Sequence, residues 1–397
     1  MFKILKTSLS IAFMLVLLCS CWDRRETEEL LLTDALAIDI PINDSDKYEI
    51  FFIATKQSSG GEQTQDGEEG GSQMEAQPWV ARSQGKSLEE AINKFTVRVP
   101  RFIFLDDNKI IILGEKLAQR GVGETLDYLL RKRDLRLRNY IVISNGRVSN
   151  SLAASPEFED GVADEIVAIL EKGSQEGDRF HHKDIKKFAE DVVTEGQDAW
   201  APIIEIITPT EVVKYNVDKA VIINKTALFH KDKMVGILDR EDTKGFKILK
   251  GLANRDTFAT EINNENITYA YNQVKVNRSL TTNSDRVGIK YDVKLKGNIA
   301  ESHLYTDFCD KALKDLEEKF SKVAEEEIKS SVSLMQKLGS DALGIGRFIH
   351  AKEPDIWKNY RDNWDMIYQD IDIVVKVDAK IIGTDFISKP IIRKSIK

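Results

Sequence analysis

Between Thr306 and Leu338 the apolar residues Phe308, Ala312, Leu316, Phe320, Val323, Ile328, Val332 and Met335 recur at helical spacing. Glu317, Glu318, Lys319, Glu325, Glu326 and Lys329 fall on the opposite side. At 1.5 Å per residue such a helix runs about 50 Å, and its stripe must be buried along an equally long apolar surface. The flanking sequence supplies one. Ile289, Tyr291, Val293, Leu295 and Ile299 alternate with Lys290, Asp292, Lys294, Lys296 and Asn298, while Ile371, Ile373, Val375 and Val377 alternate with Asp370, Asp372, Lys376 and Asp378. Period-two alternation marks strands with one wet face. Residues 263–397 are therefore expected to form an α+β domain in which helix 306–338 packs on an antiparallel sheet.

Upstream, Ile267 to Tyr271 and Val274 to Val276 read as strand with reversed apolar parity, which predicts a bulge. Residues 203–262 read as a small middle α+β domain. It has short strands at Lys219 to Asn224, Ala227 to His230 and Met234 to Leu238, then a helix from Thr243 to Lys250 ended by Gly251. Residues 21–202 read as an N-terminal α+β domain. Its strands at Ala35 to Ile40 and Tyr48 to Thr55 should pair across a turn containing Pro41, Asn43, Asp44 and Ser45. Ser87-Leu88-Glu89-Glu90 is a capping box opening a helix. The runs Phe102 to Leu105 and Lys109 to Leu113 are expected to be buried strands, and Tyr140 to Ser144 another, closed by Asn145-Gly146. Helices are expected around Leu117, from Leu126 to Leu130, from Val162 to Glu171 and from Asp184 to Thr194, ahead of a boundary at Pro202. Residues 57–77 hold five glycines, five acidic residues and no basic one, so they read as a mobile acidic loop. Glu62, Asp66, Glu68 and Glu69 in that loop lack the ordered alternation of a calcium loop.

The first residues determine the compartment. Lys3 and Lys6 precede an almost purely apolar run from Leu9 to Leu18, the layout of a signal peptide over residues 1–20. The uncharged stretch Thr7 to Trp22 is short of the roughly 20 residues a membrane-crossing helix needs. Leu18-Cys19-Ser20-Cys21 has the form of a bacterial lipobox, which makes Cys21 the expected acylation site; Cys19 at the position usually held by Ala, Ser or Thr is a departure. Loss of Lys3 and Lys6 takes the formal charge from −8 to −10. An acidic chain does not adhere electrostatically to anionic lipid, so attachment would come from acyl chains at about 0.8 kcal/mol per buried CH₂. The same charge argues against a nucleic-acid partner. Three cysteines, one of them the lipid acceptor, cannot build a disulfide framework.

The search for catalytic chemistry returns local structural readings. Gly85-Lys86-Ser87 lacks the upstream glycine of a phosphate loop, with Val80 in its place, and the capping box accounts for it. Gly344-Ile345-Gly346 reads as a turn after the long helix. His181 and His182 with Asp184 could supply metal ligands, but adjacent residues point apart on a helix or a strand, so a solvated loop is the expected reading. Cys309, beside Phe308 on the apolar stripe, reads as a small core residue.

An ordered set of segments carries a family resemblance. It comprises Cys21-Trp22-Asp23 with Glu26, then Ala81-Arg82, Gly85 and Leu88 to Ala91, then Pro100-Arg101, then Ile110 to Ala118 with Gly121, Leu126-Asp127 and Arg131. It continues through Thr226 to Phe229, Asp232 to Leu238, Gln336 to Asp341, Gly344 to Gly346, Pro354 and Trp357. In these the chain resembles the Ger(x)C lipoproteins, the C subunits of spore nutrient germinant receptors. Asp106-Asp107-Asn108, where the family has a Gly-His or Ser-His pair, and the 57–77 loop depart from the pattern. The resemblance implies a three-domain α+β ectodomain, lipid-anchored through Cys21 to the outer face of the spore inner membrane. It also implies assembly with the integral-membrane A and B subunits. No catalytic residue, cofactor or metal comes with it, so the expected role is a non-enzymatic subunit required for nutrient-triggered germination. The alternative is an extracytoplasmic solute-binding lipoprotein that captures the nutrient directly; a secreted enzyme is opposed by the missing motifs.

Overall fold

The computed structural model describes residues 26, 29–43, 46–55, 78–175, 182–208, 219–262, 265–283, 286–302 and 310–383. Cys21, the 57–77 loop, His181, Phe308 and Cys309 lie outside the described residues.

The chain begins with β1 (Leu30–Leu32), β2 (Ala35–Asp39), β3 (Tyr48–Thr55), β4 (Pro78–Gly85) and α1 (Leu88–Thr96). There follow β5 (Phe102–Phe104), β6 (Ile110–Gly114), α2 (Glu115–Arg120), α3 (Gly123–Arg131) and β7 (Tyr140–Ser144). Next come α4 (Val148–Ser151), α5 (Val162–Gln175), α6 (Ile185–Val193), β8 (Trp200–Ile207), β9 (Ala220–His230) and β10 (Lys233–Leu238). Eight of these strands form one sheet in the order β10-β9-β8-β7-β6-β2-β3-β4. β2, β6, β7 and β8 run parallel; β2–β3, β3–β4, β8–β9 and β9–β10 are antiparallel. Alternate residues face opposite sides: Leu36, Ile38, Ile111 and Leu113 pack under α1, α2, α3 and α6, and Ala35, Ala37, Ile110 and Ile112 pack under α4 and α5. Burial on both faces explains why Ile110 to Leu113 is uniformly apolar.

The capping box forms with a shifted partner. Ser87 Oγ accepts from Glu90 N at 3.1 Å, while Glu90 Oε2 accepts from Lys86 N at 2.9 Å, one residue earlier than the reciprocal pattern. β5 differs from expectation in part: among the described residues it pairs with β1 alone, and Phe102 is 53% exposed, whereas Leu31 of β1 and Leu105 just past β5 are buried. The boundary expected at Pro202 is crossed by β8. Proline is tolerated there because pairing to β7 starts only at Ile203, which leaves position 202 a strand neighbour on one side.

The segment expected as a middle domain is shared between two layers. The strands read at Lys219 to Asn224 and Ala227 to His230 are one strand, β9, and with β10 it extends the eight-stranded sheet. The helix α7 (Arg240–Lys250), ended by left-handed Gly251, and β11 (Asp256–Ile262) join the C-terminal layer. Ala227 and Phe229 face the N-terminal core while Leu228, Trp200 and Leu238 face the C-terminal one, a two-sided burial that sixty residues alone could not provide.

The second sheet has the order β11-β12-β13-β14, with β12 (Glu265–Asn283), β13 (Arg286–Ser302) and β14 (Ile373–Gly383). The predicted bulge is present as a register shift between Tyr271 and Gln273. Helix α8 (Asp310–Leu338) lies on this sheet with Leu316, Phe320, Ala324, Ile328, Val332 and Met335 buried against Tyr269, Tyr291, Val293 and Val375. The sheet is antiparallel through β13, but β14 runs parallel to β13, since α8 and the helices α9 (Ile345–Lys352), α10 (Pro354–Tyr360) and α11 (Trp364–Asp370) carry the chain back across it. One row of α8 covers the edge strand β14: Glu325 Oε2, Ser321 Oγ and Glu317 Oε1 accept from the amides of Val377, Ala379 and Ile381 at 3.4, 2.9 and 2.9 Å. The match is geometric, because four helical residues advance about 6 Å and two strand residues about 6.6 Å. Among the described residues no helix is long and apolar enough to cross a membrane.

Candidate functional site at the junction of the sheets

Where α8 ends, the chain turns into the N-terminal half. Gly339 is left-handed (φ 68°), and its N–H and that of Ser340 donate to Gln336 O and Met335 O at 3.0 and 3.1 Å, a Schellman ending. The turn delivers Ser340, whose Oγ donates to Phe229 O at 2.6 Å, and Asp341, which is clasped with Asp198. Asp198 N donates to Asp341 O at 3.0 Å, and Asp341 N donates to Asp198 Oδ2 at 2.8 Å. The Asp341 carboxylate accepts from Ile345 N at 2.7 Å, Gly346 N at 2.8 Å and Trp364 Nε1 at 3.2 Å. Complete burial pushes this carboxyl up to about 7, with the Asp198 charge acting in the same direction and the N–H donors against it.

Asp198 also fixes the β9–β10 turn. Its Oδ1 accepts from Lys231 N at 2.9 Å, where Lys231 adopts φ 55°. His230 lies between two carboxylates, Nδ1 at 3.5 Å from Asp198 and Nε2 at 3.4 Å from Asp365, and Lys231 Nζ donates to Asp365 at 3.0 Å. The hydrogen bond to Asp198 raises the His230 pKa above its usual value. The two halves are tied together because all four carboxylate oxygens of Asp198 and Asp341 accept from backbone N–H groups.

A cleft of about 430 Å³ opens beside the junction. Lys250 at the end of α7 donates to Ala342 O at 2.6 Å, and Arg278 on β12 donates from Nη1 to Leu343 O and Gly344 O at 3.3 and 3.4 Å. The Arg278 guanidinium lies 4.0 Å from the Phe348 ring centroid, and Arg347 Nη1 donates to Gln197 Oε1 at 3.3 Å. Burial pushes Lys250 down to about 8, against the opposing pull of Asp191 and Asp341.

The other sequence candidates take local roles. Asp184 caps α6, accepting from Lys187 N at 2.7 Å, and His182 packs its ring 4.8 Å from Tyr140 with burial lowering its pKa. No cluster of three metal-binding side chains occurs among the described residues. Gly344, left-handed at φ 70°, is the expected turn, and Ile345 then starts α9. The carboxyl ends of β2 and β6, where parallel sheets often hold ligands, are filled by the chain itself. Asp39 Oδ2 accepts from Val148 N at 3.0 Å, and a Cβ on Gly114 would lie 2.3 Å from Asp39 Oδ1. Asp198 carried no local signal, since its partner Asp341 is 143 residues away.

Residues 23–206 match the spore germination protein N-terminal domain, and residues 224–385 match the spore germination B3/GerAC-like C-terminal domain. Spore germination protein B3 of Bacillus subtilis (strain 168) is 24% identical over 385 residues, 95% of this chain and 97% of that protein. Spore germination protein KC of the same organism is 23% identical, covering 95% of each. The crystal structure of the GerBC protein superposes with a TM-score of 0.54 at 18% identity, covering 88% of this chain and 98% of that one, which establishes a shared fold. The Gln336 to Asp341 and Gly344 to Gly346 segments that carried the resemblance are those that build the junction, and with both domain matches in order the chain belongs to the GerAC-like family of spore germination proteins.

Proposed function

We propose that this chain is a lipid-anchored, non-catalytic subunit of a nutrient germinant receptor. It is held through Cys21 on the outer face of the spore inner membrane and assembled there with the integral-membrane A and B subunits. The observation that carries the reading is the span of the family matches, which begin at residue 23, just past Cys21, and continue through both sheets to residue 385. The junction supports it as well, because carboxylates saturated by backbone donors make a rigid body suited to docking. Mass spectrometry of the N-terminal peptide and co-purification of the tagged chain with the membrane subunits test it. An acylated Cys21 and recovery of both subunits are expected; an unacylated N-terminus, or a chain recovered alone after mild detergent extraction, overturns it. Direct capture of a small nutrient is the second reading, favoured by the cation-lined cleft.

A further inference from the structure

We propose that the cleft between Lys250, Arg278 and Arg347 binds a small organic anion, a monocarboxylate bearing an apolar group. The inference is independent of the anchor and of the membrane partners proposed above.

Three cations converge here from α7, β12 and α9, and among the described residues no carboxylate lines the cleft. Some basic side chains of this protein are matched to acidic ones, as Lys94 is with Glu90 and Lys380 with Glu317. Lys250, Arg278 and Arg347 instead donate to neutral oxygens, among them those of Ala342, Leu343, Gly344 and Gln197. Among the described residues none of the three is in an ion pair. Asp191 and Asp341 contribute field but no contact: the Asp191 oxygens accept from Lys183 and Gln197, and those of Asp341 from Ile345, Gly346 and Trp364. Like charges gathered in a concave, partly desolvated space repel one another, and an anion relieves that repulsion.

The shape narrows the class. Leu249, Val276, Phe348 and Ala351 form apolar walls that an inorganic ion would leave wet. The Arg278 guanidinium lies over the Phe348 ring, and it carries five N–H donors, of which those on Nη1 are engaged with carbonyls. The Tyr291 hydroxyl is buried in the lining beside Arg278, whose charge and hydrogen bonding act on it, so Arg278 and Tyr291 present adjacent polar groups to the cleft. A volume of about 430 Å³ falls in the range of small-molecule sites.

Isothermal titration of the full-length chain in mild detergent tests this, with benzoate, benzamide and inorganic phosphate as probes. Benzoate should bind saturably, with benzamide and phosphate each about tenfold weaker or more, the loss of one charge-assisted bond or of the apolar contact. Arg347 is exposed, so Arg347→Gln should leave the melting temperature unchanged and weaken benzoate about tenfold. Arg278→Lys, which keeps the charge but loses the planar fork, should weaken it severalfold. Absence of benzoate binding, equal binding of benzamide or phosphate, or an unchanged affinity in Arg347→Gln overturns the proposal.

Discussion

Gly196 and Gly346 meet backbone to backbone at the junction: a Cβ on Gly346 would lie 2.7 Å from Gly196 Cα, and a Cβ on Gly196 would lie 2.6 Å from the Gly346 carbonyl carbon. Gly196 is also left-handed at φ 71°, and its carbonyl accepts from Arg347 N at 2.7 Å. The same Cβ on Gly346 would lie 2.8 Å from ring atoms of both Trp357 and Trp364, which are themselves buried, so no neighbour yields easily. Gly346→Ala should therefore destabilise the fold by about 1–3 kcal/mol, the usual effect of overpacking. Urea denaturation checks it, and a midpoint equal to the wild type would contradict the close approach.

Asp341 should shape the pH dependence of stability. Its folded pKa of about 7 lies above the ordinary 3.8, so between these values the folded state holds a proton that the unfolded state has lost. Its contribution is largest below about pH 4, declines as pH rises toward 7, and is level above that, with a slope of at most about 1.4 kcal/mol per pH unit. Denaturation of wild type and Asp341→Asn at pH 5, 6, 7 and 8 should show the difference between them changing up to pH 7 and constant beyond.

His230 shifts in the same direction, holding its proton more tightly in the folded state, but here the protonated form is the charged one. Its pKa is raised above 6.5 by Asp198 and then by Asp365, so its stabilisation is fully present below about pH 6.5 and is lost as pH rises through the folded value. Being partly exposed, the pair contributes only a few tenths of a kcal/mol. His230→Gln should cost more at pH 6 than at pH 8, and an equal cost at both would remove the ion-pair interpretation.

The row of α8 along β14 predicts a local effect. Ser321→Ala removes the acceptor for Ala379 N and should cost about 1 kcal/mol. Hydrogen exchange should accelerate at the Ala379 amide and not at Ile289, whose N–H donates to Asp372 O inside the β13–β14 pair. Uniform acceleration across the sheet would point to global unfolding instead.

The stripe on α8 and the alternation in β13 were legible because each is a local periodicity that survives whatever it packs against. The reversed parity before Gln273 was legible for the same reason. The direction of β14 was not, since a strand with one wet face shows the same alternation whether it runs parallel or antiparallel, and only the course of α9 to α11 decides it. Of the run Phe102 to Leu105, Leu105 is buried and Phe102 exposed, a difference that was not legible because an apolar run does not reveal how many neighbours its strand will have. Of the junction, Gly344 and Gly346 were legible as a turn, Asp341 stood out through family resemblance, and Gly196 carried neither signal. Asp198, one carboxylate among many, becomes distinctive only when the chain folds back over 143 residues.

The covering of β14 also restricts how this molecule can be joined to others. A bare sheet edge invites a foreign strand to add itself, in specific recognition or in runaway aggregation. Here the outward amides of Val377, Ala379 and Ile381 are already occupied by side chains of the same chain, so a strand arriving at that margin finds its donors taken. Assembly along this side must proceed through side-chain surfaces, and neighbouring copies crowded together cannot zip into a continuous sheet there.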